Sequence, residues 1–397
     1  MRKKSGLAWV AAVASGLLMA ASFPPLEWSG AAWVSLVPLI VALSGLSVRR
    51  QILLGWLAGT VCWVSSINWL CHVTVGGLIG LSVYCGLYFG LFAMVTGWLL
   101  KRTAKGSVLE NLALMFFIPA LWTGFELVRS HLITGFPWNL LGVTQVWNIL
   151  LIQHASWGGV YAISFAIVWV NTSLALTLMR YLDPARRRRG FHMELAAGLL
   201  LVVVLLVSGQ RMLQEPAPAS VALRTALIQT GIPQDDKWDR EKIEMIYGRL
   251  WDLTRTALHA GKSDLIIWPE TSLPDDVRSS ESSYDLVYSL VTNGTPILAG
   301  SMDTEWLDEG DPRYFNSSFL FDVNGQILEV YDKRHLVLFG EYLPFGGKIP
   351  WINAFTPIEA SFSSGTTSTV FHLENPNVAF SVLICFEDAV AGRRGSR

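Results

Sequence analysis

The sequence predicts a multi-span α-helical membrane bundle followed by an α/β domain. Three observations predict it. The chain of 397 residues is 52 % hydrophobic and 15 % charged, with 17 Trp and a mean hydropathy of +0.41, which is too apolar for an ordinary soluble domain. Apolar runs long enough to cross ~30 Å of hydrocarbon recur through the first half and then cease. From about residue 220 charged residues return, and short apolar runs alternate with amphipathic ones, the texture of strands and helices.

Seven runs are candidate spans, at residues 7–22, 31–46, 52–70, 77–100, 108–128, 155–179 and 193–208. The first two are short, and the fifth carries Glu110 and Glu126. This reading puts a transmembrane domain at 1–210, a linker marked by Pro216 and Pro218 at 211–222, and a globular domain at 223–397. Arg2, Lys3, Lys4, Arg49, Arg50, Lys101, Arg102, Lys105, Arg180 and Arg186 to Arg189 occupy alternate loops, Arg129 being the main exception. By the positive-inside rule the N-terminus is cytoplasmic, and an odd number of spans delivers the globular half to the outside. A cleaved signal peptide at residues 1–22 is an alternative that leaves this sidedness unchanged.

Within the globular half, RTALIQTGI (224–232), SDLIIWPET (263–271), TPILAGSM (295–302), NSSFLFDV, QILEVYDK and NVAFSVLIC (377–385) read as strands. Asn324 and Gly325 mark a hairpin. Helical spacing runs over 239–261, ending at Gly261, and over 281–292. Glu270, Lys333 and Cys385 are thereby expected at or just beyond the ends of three strands, where open α/β sheets build their sites.

Composition excludes some functions. The net charge is −1 and the arginine runs lie between apolar spans, so nucleic acid is not an expected partner. Seven scattered histidines lack metal-ligand spacing, so neither a metal nor a cofactor is expected. Cys62, Cys71 and Cys85 fall in or beside the third and fourth spans and read as packing residues. Cys385 stands alone in a compartment that favours disulfides, which leaves an inert buried thiol or a reactive one. Its companions fit the second reading. A carboxylate can take the thiol proton and return it to a leaving group, while a lysine stabilises the tetrahedral oxyanion. His335 reads as a loop histidine.

WPET around Glu270, YDKRHLVLFGEYLPF around Lys333 and ICFED around Cys385 resemble the Glu-Lys-Cys signatures of the nitrilase superfamily. With the preceding spans, TGFPW at 134–138 and GIPQDDKWD at 231–239, the whole chain resembles the apolipoprotein N-acyltransferase family of the bacterial inner membrane. The resemblance implies a nitrilase-like αββα sandwich in the periplasm, acting as a monomer. It also implies transfer of an acyl chain from phosphatidylethanolamine to the α-amine of the diacylglyceryl-modified cysteine of apolipoproteins. By motif, Glu270 is the general base and acid, Lys333 the oxyanion stabiliser and Cys385 the nucleophile, with the backbone N–H of Phe386 assisting. Glu341 and Glu387 support the site, and Trp238 and Asn316 match positions near the substrate. HLVLFGEYLPF and IPWINAF (349–355) are either lipid-facing loops or core.

Leu338 departs from a proline in the family pattern, and Phe386 stands where tyrosine is common. The family continues beyond the nucleophile with further strands and an eighth span, whereas this chain finishes in AVAGRRGSR. The sequence therefore predicts a sandwich incomplete at its C-terminus, with poor folding and little activity. Two other readings share the same residues: a membrane-anchored amidase in which water resolves the thioester, and an inactive fragment that binds lipid or lipoprotein. A transporter is weakened because the spans show no paired intramembrane charges.

Overall fold

The computed structural model describes residues 2–103, 107–183, 192–215, 220–307, 311–343 and 361–390. The chain divides into two compact units, Met1–Pro216 and Ala217–Arg397.

All seven apolar runs are helical. The first is α1 (Arg2–Ala21); the second breaks into α2 (Ser29–Ala32) and α3 (Val37–Ala42). Then follow α4 (Val48–Ser66), α5 (Val75–Arg102), α6 (Val108–Arg129), the single turn α7 (Ile149–Ile152), α8 (Ala155–Leu182) and α9 (Met193–Gln214). Among the described residues four helices, α5, α6, α8 and α9, are long and apolar enough to cross a membrane. The break between α2 and α3 has a specific cause. Buried Asn171 of α8 accepts the Leu36 N–H at 2.8 Å and donates to the Ala32 carbonyl at 2.9 Å, satisfying groups that a continuous helix would pair internally.

The charges inside the fifth run also have local reasons. Glu110 is the third residue of a capping box with Ser107, so it satisfies the start of α6 rather than crossing hydrocarbon. Glu126, one turn before the helix end, accepts the Leu141 N–H at 2.8 Å. Arg129 is buried, with its guanidinium 4.7 Å from the Trp63 ring and bonded to the Phe136 and Trp138 carbonyls. The one charge that broke the loop pattern thus holds the TGFPW segment in place. Arg180 and Glu194 pair at 3.2 Å between the C-terminal end of α8 and the first turn of α9.

Helices α4 and α5 make close contact through small residues. A Cβ added at Gly59 would lie 2.7 Å from that of Phe89, and one at Gly55 would lie 2.4 Å from the Phe89 carbonyl oxygen. Backbones that approach this closely gain dispersion contact, the main attraction between helices in lipid.

In the second unit β1 (Thr225–Leu227) precedes α10 (Gln234–Lys237) and α11 (Ile243–Ala260). Then come β2 (Leu265–Ile267), α12 (Glu281–Val291), β3 (Ile297–Glu305), β4 (Arg313–Phe321), β5 (Ile327–Asp332), β6 (Phe371–Leu373) and β7 (Val378–Phe380). Strands β1 to β5 form one mixed sheet in sequence order, parallel from β1 to β3 and antiparallel from β3 to β5. Period-2 alternation assigns its faces. Ile266, Ile297, Ala299, Phe319 and Phe321 pack with Ile246 and Leu250 of α11 and Val287 and Leu290 of α12. Leu265, Leu298, Leu320 and Tyr331 face the other way, against Phe371 and Leu373 of β6 and against Ile384. There β6 pairs with β7 in a second, two-stranded sheet.

The buried strand expected over 377–385 is corrected. Pairing stops at Phe380, and Leu383 is exposed, because residues 381–384 have no neighbouring strand among the described residues. Cys385 consequently does not end a strand. It opens a short 3-10 helix, Cys385–Ala389. The hairpin at Asn324 and Gly325 forms as expected, Gly325 having φ +80° while Asp322 accepts the N–H groups of Asn324 and Gln326. The segment 349–355 lies outside the described residues.

Adding one methyl should have opposite effects at two glycines of the helical unit. Gly59→Ala is expected to destabilise it by roughly 1–3 kcal/mol through overpacking. Gly80→Ala, where nothing lies within 4 Å, should be neutral or stabilising by up to about 1 kcal/mol. Thermal unfolding in detergent tests this, and shifts of the same sign and size would contradict the packing account.

Candidate active site

Glu270 lies three residues beyond β2. Trp268 still pairs with β3, its N–H reaching the Leu298 carbonyl at 2.9 Å, and its buried indole donates to Thr254 of α11 at 3.0 Å. The chain then turns sharply, with Thr271 at φ +42°. Gly300 makes the turn possible. A Cβ there would lie 2.3 Å from the Pro269 carbonyl oxygen and 2.8 Å from the Glu270 Cα. A glycine inside a strand commonly marks such an approach of one backbone to another.

Lys333 follows β5 directly, and its N–H extends the ladder to the Asn316 carbonyl at 2.8 Å. Its side chain is 1 % exposed. Nζ donates to Oε1 of Glu341 at 2.8 Å and lies 3.6 Å from Oε1 of Glu270. Buried Asn316, on β4, joins both carboxylates from the other side, its amide donating to Glu270 at 2.6 Å and to Glu341 at 3.4 Å. The second oxygen of Glu341 accepts the Val337 N–H at 2.8 Å, closing the loop after Lys333 upon itself.

Cys385 is solvent-accessible and has φ +53°, an uncommon conformation for a residue with a side chain. The turn that holds it is fixed by Glu387, which is buried. Its carboxylate accepts the N–H groups of Arg334, His335 and Ile384 at 2.9–3.0 Å, together with the Tyr331 hydroxyl at 2.8 Å. Glu387 therefore clamps the cysteine turn to the two residues that follow Lys333. The His335 ring stacks on Phe386, centroids 5.7 Å apart.

These groups act on the thiol electrostatically. Burial pushes the Cys385 thiol above its ordinary value, and the Glu270 carboxylate adds to that. Lys333 and the Phe386 N–H pull it down, and Glu341 raises it slightly. The resting form at neutral pH is the thiol.

Glu270, Lys333, Glu341 and Asn316 form one hydrogen-bonded group, with Cys385 in its field and Glu387 behind it. Trp238 is 47 % exposed, just past α10. Sequence reasoning passed over its neighbour Lys237, whose Nζ donates to the Glu270 carbonyl at 2.7 Å. The signal was present: GIPQDDKWD follows β1, and β1 lies parallel to the strand that delivers Glu270.

Comparison with known proteins adds an independent line. The profile of the apolipoprotein N-acyltransferase N-terminal domain matches residues 15–173, and that of the carbon-nitrogen hydrolases matches residues 224–390. An apolipoprotein N-acyltransferase of Geobacter metallireducens is 33 % identical over 399 aligned positions, covering 96 % of this chain and 73 % of that protein. One from Brucella suis is 30 % identical, covering 95 % of this chain and 73 % of its own length. Among solved structures, an amidase from Nesterenkonia sp. aligns with 43 % of this chain and 57 % of its own, at 18 % identity and a TM-score of 0.29. Both halves match, in order, the two parts expected of one enzyme, and the likeness to full-length relatives is continuous: the chain belongs to the apolipoprotein N-acyltransferase family.

Proposed function

We propose that the protein moves an acyl chain from phosphatidylethanolamine, through a thioester on Cys385, to the N-terminal α-amine of diacylglyceryl-cysteine in apolipoproteins. The observation that carries this reading is the enclosed Lys333 ammonium, held between Glu341 and Glu270 in the field of the Cys385 thiol. A fixed cation is what a developing oxyanion requires, and a carboxylate beside it serves as proton carrier.

In the first half-reaction Glu270 takes the Cys385 proton, and the sulfur attacks an ester carbonyl of the phospholipid. The Lys333 ammonium and the Phe386 N–H receive the oxyanion. When the tetrahedral species collapses, the carbon–oxygen bond breaks, and Glu270 returns the proton to the departing lysophospholipid. In the second half the free amine attacks the thioester. Glu270 takes a proton from the nitrogen and the sulfur leaves to be reprotonated, so atoms and charge balance over the cycle. Glu341 and Asn316 hold Lys333 and Glu270 in register, and Glu387 holds the nucleophile turn.

The helical unit keeps the enzyme in the bilayer, where both substrates reside. The distribution of Lys and Arg supports a cytoplasmic N-terminus with the catalytic unit on the opposite side, and family membership supports the bacterial inner membrane, with the protein acting as a monomer. Trp238 is assigned to the substrate side of the site, consistent with its exposure.

Membranes containing the protein should form a hydroxylamine-sensitive adduct from phosphatidylethanolamine labelled in its acyl chain. That adduct should vanish in Cys385→Ala and discharge when a diacylglyceryl-cysteinyl peptide is added. Discharge by water at the same rate without peptide would point instead to an amidase.

The thiol electrostatics make a second, independent prediction. Because the thiol lies above its ordinary value, alkylation by iodoacetamide should climb about tenfold per pH unit through neutrality without levelling. Removing the Glu270 charge lowers the thiol pKa. Glu270→Gln should therefore alkylate faster at pH 7 while losing roughly 10²–10⁴ in acyl transfer. Slower alkylation in that variant would show that Glu270 does not set the thiol's ionisation.

A further inference from the structure

Lys237 is a second ammonium at the site with no part in the proton transfers or the oxyanion. It sits at the end of α10, the short helix that follows β1, and donates one hydrogen bond, at 2.7 Å, to the main-chain carbonyl of Glu270. An ammonium carries three donors. The carbonyl takes one, leaving two with no protein acceptor among the described residues. Lys333 is enclosed by Glu341 and Glu270, the Arg334 guanidinium donates to Ser368, and Lys242, in the segment after α10, is paired with Asp236. Lys237 is half-buried, and both Glu270 and Cys385 act on it electrostatically.

Charge balance gives this placement a consequence. Glu270 and Glu341 against Lys333 leave one excess negative charge within that group, and the Glu387 carboxylate adds another at the Cys385 turn. An anionic substrate would be repelled there unless a second cation met it. Burial pulls the Lys237 ammonium below its ordinary range, and the Glu270 carboxylate opposes that only in part, so an arriving anion would be a favourable partner.

Resting on the acyl-transfer reading above, we propose that Lys237 recognises the phosphodiester of the acyl donor and is a specificity-determining residue for the first half-reaction. The geometry of a glycerophospholipid allows it. Six bonds separate the sn-1 carbonyl carbon from phosphorus, an extended reach of roughly 7 Å at the per-bond advance of an extended chain. A phospholipid with that carbonyl against Cys385 carries its phosphate into the immediate surroundings of the sulfur, where Lys237 lies. The assignment also separates the two substrates. The donor bears a phosphodiester, the diacylglyceryl-cysteine acceptor does not, and the phosphate leaves with the lysophospholipid. Lys237 thereby favours the donor at the free enzyme and exerts no such preference once the thioester has formed.

The test compares two acyl donors on the full chain in detergent micelles: phosphatidylethanolamine, and a p-nitrophenyl ester of the same fatty acid, which has no phosphate. Acylation of Cys385 is measured for the wild type, Lys237→Gln and Lys237→Arg. Loss of a charge-assisted contact should lower the ratio of phospholipid to nitrophenyl-ester acylation about tenfold or more in Lys237→Gln. The loss should appear as a raised KM for the phospholipid, with partial restoration in Lys237→Arg. An unchanged ratio would overturn the proposal, because a lysine that merely supports the Glu270 turn would slow both donors alike.

A second measurement needs no turnover. Glycerophosphoethanolamine, the donor's head without its acyl chains, should protect Cys385 from iodoacetamide in the wild type and not in Lys237→Gln. Absence of protection in the wild type, or protection by inorganic phosphate but not by the diester, would count against the assignment. Failure of the acyl-transfer reading looks different: an adduct that survives Cys385→Ala, whatever the residue at 237.

Discussion

The catalytic unit depends on one constraint, an ammonium group withdrawn from water. Lys333 is 1 % exposed, and leaving such a charge without partners would cost several kcal/mol. Its partners come from separate places in the chain. Glu341 lies eight residues on, and Glu270 lies beyond a different strand; Asn316, from the strand between β3 and β5, holds both carboxylates. None of these segments can settle elsewhere without stranding the charge. The close approach that Gly300 permits belongs to the same constraint, because it fixes how near the Glu270 backbone comes to β3.

Glu387 solves a similar problem for the turn that bears Cys385. A carboxylate that accepts three backbone N–H groups and a tyrosine hydroxyl is a strong organiser of irregular chain. It ties the turn bearing Cys385, which no strand holds, to the loop that leaves Lys333. The three acidic side chains thus divide the work: Glu270 acts on the thiol electrostatically, Glu341 restrains the lysine and Glu387 restrains the cysteine turn. Burial and Glu270 keep the thiol protonated at rest, while Lys333 and the Phe386 N–H favour negative charge once it develops. Lys237 adds a further tie, from the segment after β1 to the Glu270 main chain.

The helical unit follows a different rule. Lipid supplies little hydrophobic drive between helices, so close backbone approach and buried polar contacts take its place. Gly55 and Gly59 let α4 lie against α5, and Asn171 ties the broken second run to α8. Glu126 and Arg129 serve the same purpose, bonding the loop after α6 so that its free carbonyl and N–H groups are satisfied.

Composition, run length and period by themselves determined that the chain is a helical membrane half joined to an α/β half. They placed the five strands of the main sheet, the Asn324–Gly325 hairpin and the two long helices of that half. These features are local: apolar spacing and turn chemistry act over a few residues, so a linear reading captures them. The motifs around Glu270, Lys333 and Cys385 stood out in the sequence, and folding does bring Lys333 beside Glu270 with Cys385 in their field. Only the tertiary structure decided the rest, since those outcomes turn on neighbours distant in sequence. Residues 381–384 carry a strand-like pattern but have no strand beside them, so the cysteine comes to rest on a 3-10 turn held by Glu387. Arg129 looks like a loop charge and is a buried clamp, and Lys237, unremarkable in the chain, is brought to Glu270 across 33 residues. A residue's type limits what it can do, but which of those uses is realised depends on the partner that folding brings to it.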